Sequence, residues 1–310
     1  MGKNAVLSTE LKRLTPLIRQ VVGSTVFWLR WGSAELTEDI AEQSIRRIME
    51  DLLSRRTEAY GLVKGGPEDR LLIWEQLDWD SRILGRGCGR IDLLAGAGLS
   101  ALLSSWRERA ADLGMEYITC RLTSGHTLPD GAGFEKLEDI IYLAGSTKAP
   151  APELTVRRAV PEDLERVAAI ASGSYRFDRF HSDPFFSAVE ADRIHAEWAA
   201  SCFGGRADGI LVAEVRGVVR GFCACISPMR GSGQPGWIDM LAVDPEARRA
   251  GLGKSLVLGA RRYFAESGIE WAALCTQDRN RPAVKLYHNQ GFMPYQNAST
   301  FRLRLHGSRD

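Results

Sequence analysis

The second half of the chain alternates between two hydrophobic periods. A short extended run near residues 155–158 is followed by Pro161-Glu-Asp-Leu164. That sequence opens a helix whose apolar positions Leu164, Val167, Ala168 and Ala171 recur at helical spacing. The β-branched and apolar runs over 209–215 and 218–226 flank Arg216-Gly217 and read as a hairpin, and 237–243 is a third run of the same kind. Helical periodicity returns over 253–264, a strand over 271–275, a short helix over 282–289, and strand alternation over 300–305. The predicted order is strand, helix, hairpin, strand, helix, strand, helix, strand: an α/β fold with a mixed, mostly antiparallel sheet flanked by helices.

The first half echoes this pattern. Ile91-Asp-Leu-Leu-Ala95 matches Ile238-Asp-Met-Leu-Ala242, and each precedes a helix that ends at a glycine. Gly114-Met-Glu-Tyr117 then parallels Gly268-Ile-Glu-Trp271, and Gly133-Phe134 parallels Gly291-Phe292. Either these short matches are coincidence or they mark a degenerate internal repeat. The copies differ after the strand: Gly96-Ala-Gly-Leu-Ser100 stands where the second copy has an arginine-rich loop. The stretch 145–152, rich in small residues and proline, is the expected linker. It divides the chain into 1–148, a helical extension plus a reduced domain, and 153–310, a complete one.

A length of 310 residues agrees with two domains, each able to bury a core. Lys and Arg total 40 against 39 acids, a net charge of +1, so no overall field gathers nucleic acid or an anionic membrane. The six cysteines form no Cys-x-x-Cys pair and have few histidines near them, which argues against a disulfide scaffold and a metal site. The apolar stretch over 17–31 is broken by Arg19, Gln20 and Arg30, and no uncharged run reaches membrane-span length. A cytoplasmic protein without membrane insertion is expected.

Candidate chemistry centres on Arg248-Arg-Ala-Gly251-Leu-Gly253-Lys254, between a predicted strand and a predicted helix. Such a loop lets backbone N–H groups and the positive end of a helix dipole meet an anion. The bland alternative is a tight turn with solvated arginines. Downstream, Asn280-Arg-Pro-Ala283-Val-Lys-Leu286-Tyr287-His-Asn-Gln-Gly291-Phe292 follows the next strand. Together these segments resemble the GNAT acyltransferase superfamily over about 155–305. The resemblance implies acetyl-CoA as co-substrate. Its pyrophosphate would lie on the N–H groups of Arg249, Gly251, Gly253 and Lys254, with Arg248 and Leu252 in the same loop. Its pantetheine would run along the open edge of the strand that carries Leu241 and Val243, held by Asn280, while Tyr287 protonates the leaving thiolate. Tyr287 as a packing residue under the Gly291 turn and Asn280 as a helix cap are the rival readings. Asp239 and Glu214 are candidates for drawing a proton from the amine through water.

Leu77-Asp-Trp79-Asp80-Ser81 through Ile91, and Ser174-Tyr-Arg176-Phe177-Asp178-Arg-Phe180-His181 followed by Trp198, are similar to segments of the dTDP-fucosamine acetyltransferase family. This second resemblance implies a reduced N-terminal GNAT-like part, a homodimer, and acetylation of a nucleotide-linked amino-deoxy sugar for surface polysaccharide. Arg176, Arg179 and His181 would suit a diphosphate, and Phe177 or Phe180 a base or sugar face. A basic loop favours an anionic acceptor over a cationic peptide or aminoglycoside. A non-catalytic acyl-CoA-binding module is the third reading.

Overall fold

The computed structural model describes residues 57–62, 70–96, 98–123, 127–228 and 234–305. The helical extension expected before residue 69 lies outside them, apart from residues 57–62, which form a strand. The chain divides into two compact units. One comprises residues 1–137 and 299–310, the other residues 138–298.

In the first unit, strands β1 (Thr57–Leu62), β2 (Arg70–Gln76) and β3 (Gly87–Gly96) pair antiparallel, and β4 (Met115–Thr123) pairs parallel to β3. Helix α1 (Asp78–Leu84) joins β2 to β3, and α2 (Leu99–Asp112) makes the crossover that a parallel pair requires. Trp74 and Trp106 meet edge to face at 5.6 Å in a core shared with Leu72, Leu103 and Ile118.

The second unit is built on β5 (Glu135–Ser146), β6 (Val156–Arg158), β7 (Gly209–Val215), β8 (Val218–Ile226), β9 (Gly236–Val243), β10 (Trp271–Gln277) and β11 (Met293–Arg304). Their spatial order is β11-β5-β10-β9-β8-β7-β6. The expected β7–β8 hairpin forms at Arg216-Gly217, both at positive φ (52° and 77°), as a two-residue turn between twisted strands requires. Helices α3 (Leu164–Ser174) and α5 (Ala188–Ser201) cover one face, with the short α4 (Arg179–Ser182) between them, and bury Val167, Ile170 and Ala199 against Phe222, Ala224 and Met240. Helix α6 (Leu252–Glu266) covers the other face, where Leu256, Ala260 and Phe264 meet Cys223, Ile238 and Leu274. Helix α7 (Arg281–Asn289) follows β10. No helix among the described residues is long and apolar enough to cross a membrane, and all six cysteines are free thiols.

Two expectations need correction. Helix α5 was not in the predicted order. The linker over 145–152 also does not separate the units, because β5 runs to Ser146 and pairs antiparallel with β10 from Trp271↔Ser146 to Gln277↔Ile140. Leu143 is fully buried in the core under α6, and the Arg261 guanidinium collects the carbonyls of Ser146, Lys148 and Gln290 at 2.6, 2.7 and 2.8 Å. The division falls at 137/138 because β10 would otherwise have a bare edge. The end of β11 is traded the opposite way: Leu303 is buried with Trp74 and Trp106, and Leu305 N–H donates to Glu116 O at 3.0 Å.

The echo between the halves extends to the backbone. In β3 the register passes from Ile91↔Trp74 to Leu93↔Ile73, leaving Asp92 as an extra residue. In β9 it passes from Ile238↔Cys225 to Met240↔Ala224, leaving Asp239. Both bulges sit on the aspartate of the repeated Ile-Asp motif, and each bulged strand leads through a helix to a parallel neighbour.

Candidate active site

The site begins where two strands part. β9 and β10 pair only at Gly236↔Ala272 and Trp237↔Ala273, although β9 continues to Val243 and β10 to Gln277. From Ile238 onward the edge of β9 toward β10 is therefore open, and the Asp239 bulge bends the strand at that point. An acyl chain bearing amide groups could add to this edge as a strand would.

The open edge leads into the arginine loop. Asp244 anchors the loop: it is buried, accepts from Glu246 N–H at 3.1 Å, and pairs with Arg166 and with Arg220 (2.7 Å). Arg248 folds back, donating to Val243 O at 3.3 Å and Ser174 O at 3.1 Å. Arg249 has φ of 65°, a strained value for a residue with a Cβ, and Gly251 follows at 81° as the N-cap of α6. The first α6 hydrogen bond outside this turn runs from Ser255 N–H to Gly251 O (3.0 Å), so the preceding N–H groups lack helical partners, an arrangement that could accept an anion. The side chains here have other tasks. Leu252 is a core residue, Lys254 pairs with Glu153, and a Cβ on Gly253 would come within 3.2 Å of Leu286. Leu241 and Val243 pack against the core under α6.

Tyr287 projects from α7 into the interior, 6.1 Å from the Phe292 ring. Burial, with the Cys223 and Cys275 thiols beside it, holds its phenol well above the usual tyrosine range, so it stays protonated at neutral pH. Asn280 caps α7: its carbonyl oxygen accepts from Ala283 N–H at 3.3 Å and its amide faces Thr276 Oγ1 at 3.4 Å. The cap expected as the rival reading is therefore formed.

The two acid candidates separate. Asp239 stands at the bulge, at the mouth of the opening, with Arg206 donating to both carboxylate oxygens. Arg206 also stacks over Trp198 at 4.9 Å. Glu214 lies on β7, two strands from β9, where Arg157 ties it to Asp163 at the sheet edge. Its place in that ion-pair cluster accounts for it without a role beside Tyr287.

The substrate-side segment also divides. Phe180 is buried against Phe186 at 5.3 Å, and His181 is enclosed between Asp178 (2.6 Å) and Asp192 (3.0 Å), so neither presents a free face to a ligand. Both were expected on the ligand side, and packing claims them instead. Arg176 bridges Asp192 at 2.7 Å, Arg179 lies over the Phe180 ring at 4.6 Å, and Phe177 remains exposed. Arg279 joins this segment to the site, donating to Phe177 O at 2.6 Å, one residue before Asn280. Arg279, Arg206 and Asp244 were not singled out in the sequence; only Arg279, adjacent to the Asn280 motif, had a signal that pointed to it.

Asp178, His181 and His195 bring their polar atoms within 4.8 Å of one another. His181 is hydrogen-bonded to Asp178, His195 stands 3.7 Å from it, and Asp178 also accepts from Phe180 N–H and His181 N–H at the start of α4. The hydrogen bond to Asp178 raises the affinity of His181 for its proton against the opposing effect of burial, while burial lowers that of His195. Burial also works against the charge of Asp178, but His181 and His195 hold its pKa below the carboxylate value. A histidine with a raised folded-state pKa contributes stability that is complete below about pH 6.5 and lost as pH rises through the raised value. His195 acts in the opposite direction as pH falls. Melting temperature should therefore decline from about pH 6.5 upward, and His181→Gln should flatten that decline. An unchanged slope in thermal melts of the variant would place the titration elsewhere.

The Acetyltransferase (GNAT) family profile matches residues 170–292, and the fold is the GNAT fold. The whole chain superimposes on a tandem GNAT protein from the clavulanic acid biosynthesis pathway with a TM-score of 0.56 at 16% identity, covering 99% of this chain and 97% of that one, a likeness of fold. More particularly, the chain is 30% identical over 178 residues to a mycothiol acetyltransferase of Saccharomonospora viridis, covering 53% of this chain and 56% of that protein. It is 38% identical over 189 residues to a mycothiol acetyltransferase of Thermobifida fusca, covering 55% and 58%. The chain thus spans less than two thirds of the length of these curated relatives.

Proposed function

We propose that this chain transfers an acetyl group from acetyl-CoA to the amino group of a small molecule. The observation that carries this reading is the early parting of β9 and β10, which leads into the cradle at 248–254 and has the Tyr287 phenol beside it. The pyrophosphate would take the free N–H groups at the start of α6, and the pantetheine the open β9 edge with Asn280. The amine attacks the thioester carbonyl directly, and Tyr287 gives its proton to the departing sulfur. Asp239 is the carboxylate placed to draw the amine's proton through water, which requires Arg206 to swing from it. The reaction as proposed draws on no metal ion.

Two acceptors remain. The names of the relatives favour mycothiol lacking its acetyl group. A nucleotide-linked amino-deoxy sugar keeps the support of Arg176, Phe177 and Arg279 but loses that of Phe180, which is buried, and of His181, whose ring is held between Asp178 and Asp192. The test is thiol release from acetyl-CoA with both acceptors, aminoglycosides and basic peptides. Turnover with one small-molecule amine fixes the class, and silence across the panel with acetyl-CoA still bound favours a binding module. Gly251→Val should reduce acetyl-CoA affinity about a hundredfold or more, because a β-branched residue cannot hold the left-handed conformation that turns the loop onto the helix N-terminus. Calorimetry that finds wild-type affinity in this variant would mean the loop is not the phosphate site.

A further inference from the structure

Among the polar groups near the open β9 edge, Tyr175 takes no part in the chemistry of Tyr287, Asn280 and Asp239. Helix α3 ends at Ser174, which is fastened to the cradle: its Oγ donates to Val243 O at 3.3 Å, and its carbonyl accepts from Arg248. Tyr175, in extended conformation (φ −82°, ψ 131°), turns its ring inward. The ring lies flat on His195, with centroids 4.6 Å apart and 15° between the planes, and His195 is itself fixed by an Nδ1–H bond to Ala191 O at 2.7 Å. The phenol oxygen comes beside the backbone N–H of Leu241, on the stretch of β9 that β10 does not pair, near Asp239, Tyr287 and Cys223. It is buried, and although the Leu241 N–H faces its oxygen, its own proton meets no acceptor of hydrogen-bond geometry among the described residues.

A buried hydroxyl left in that state destabilises the fold, and phenylalanine would fill the same space on His195 without the penalty. Its retention at the mouth of the acyl channel points to a ligand atom as the missing partner. We infer that the Tyr175 hydroxyl and the Leu241 N–H form a pair of hydrogen-bond donors for the carbonyl oxygen of the acyl group being transferred. This rests on the acetyltransferase reading and deepens it: two phenols serve one thioester, Tyr175 at oxygen and Tyr287 at sulfur. As the amine lone pair adds to the carbonyl carbon, the π electrons move to the oxygen, where the two donors hold the charge. The C=O bond re-forms as the C–S bond breaks. The sulfur takes the Tyr287 proton, the ammonium proton passes through water to Asp239 and on to solvent, solvent reprotonates Tyr287, and Tyr175 keeps its proton throughout.

The test needs no acceptor. Acetyl-CoA carrying carbon-13 at the thioester carbonyl is bound to the full chain and its C=O stretch is read by infrared difference spectroscopy, with affinity measured by calorimetry. In the wild type the band should lie below that of free acetyl-CoA. Tyr175→Phe should return it toward the free value without lowering the melting temperature, whereas Tyr287→Phe should leave it in place. With an accepted amine, Tyr175→Phe should also lower kcat about a hundredfold, with KM for acetyl-CoA little changed. A band unmoved in Tyr175→Phe that still binds acetyl-CoA overturns the inference and leaves the acetyltransferase reading intact. A wild-type chain that binds no acetyl-CoA overturns both.

Discussion

Tyr287→Phe should lower kcat by about a hundredfold or more while acetyl-CoA binds nearly as before, since loss of a positioned general acid costs roughly 10²–10⁴ in rate. The ring would keep its place against Phe292 and in the core under α6, so the fold has little reason to change. Only the oxygen is removed, and with it the proton that burial keeps on the phenol at neutral pH. A thiolate leaving without that proton must take one from a donor that is not positioned beside the sulfur. Steady-state thiol release together with calorimetry separates the two quantities. A variant with wild-type turnover would return Tyr287 to its rival role, a packing residue beneath the Gly291 turn.

What the sequence disclosed here follows from where the signal was local. The hairpin at Arg216-Gly217, the strand at 237–243 and the helix after Gly251 were legible because period and turn chemistry lie within a dozen residues. The Ile-Asp echo was legible as letters, but its physical content, a bulge at Asp92 and again at Asp239, needed the strand register. Helix α5 was hidden because the aromatic and basic residues around 176–183 drew a ligand-binding reading. Those at Phe180 and His181 serve packing and the Asp178 network. Glu214 and Asp239 looked equivalent as acids on strands, and only the sheet order separates them, with Arg157 holding one at the edge and Arg206 the other at the bulge. Tyr175 stood inside the segment 174–181 but was given no role there, since a buried phenol whose proton lacks an acceptor is visible only once its surroundings are known.

The linker over 145–152 is the plainest case of local composition misleading, and it yields the second large effect. A fragment of residues 153–310, cut where the small residues and prolines suggest, should fail to give a cooperative melt, whereas one beginning at residue 135 should fold. The short fragment lacks β5 and so leaves the β10 edge from Trp271 to Gln277 without its antiparallel partner. It also loses Tyr142 and Leu143, both buried, at about 2 kcal/mol each. Arg261, itself largely buried, loses the carbonyls of Ser146 and Lys148 and keeps only that of Gln290, at a cost of about 1.5–3 kcal/mol for each hydrogen bond to a charged group. Against a typical domain stability of about 5–15 kcal/mol these losses are enough to unfold it or drive it into edge-to-edge aggregates. Circular dichroism melts of the two fragments decide the matter. A sharp transition in the 153–310 fragment would show that β5 is dispensable to the second unit.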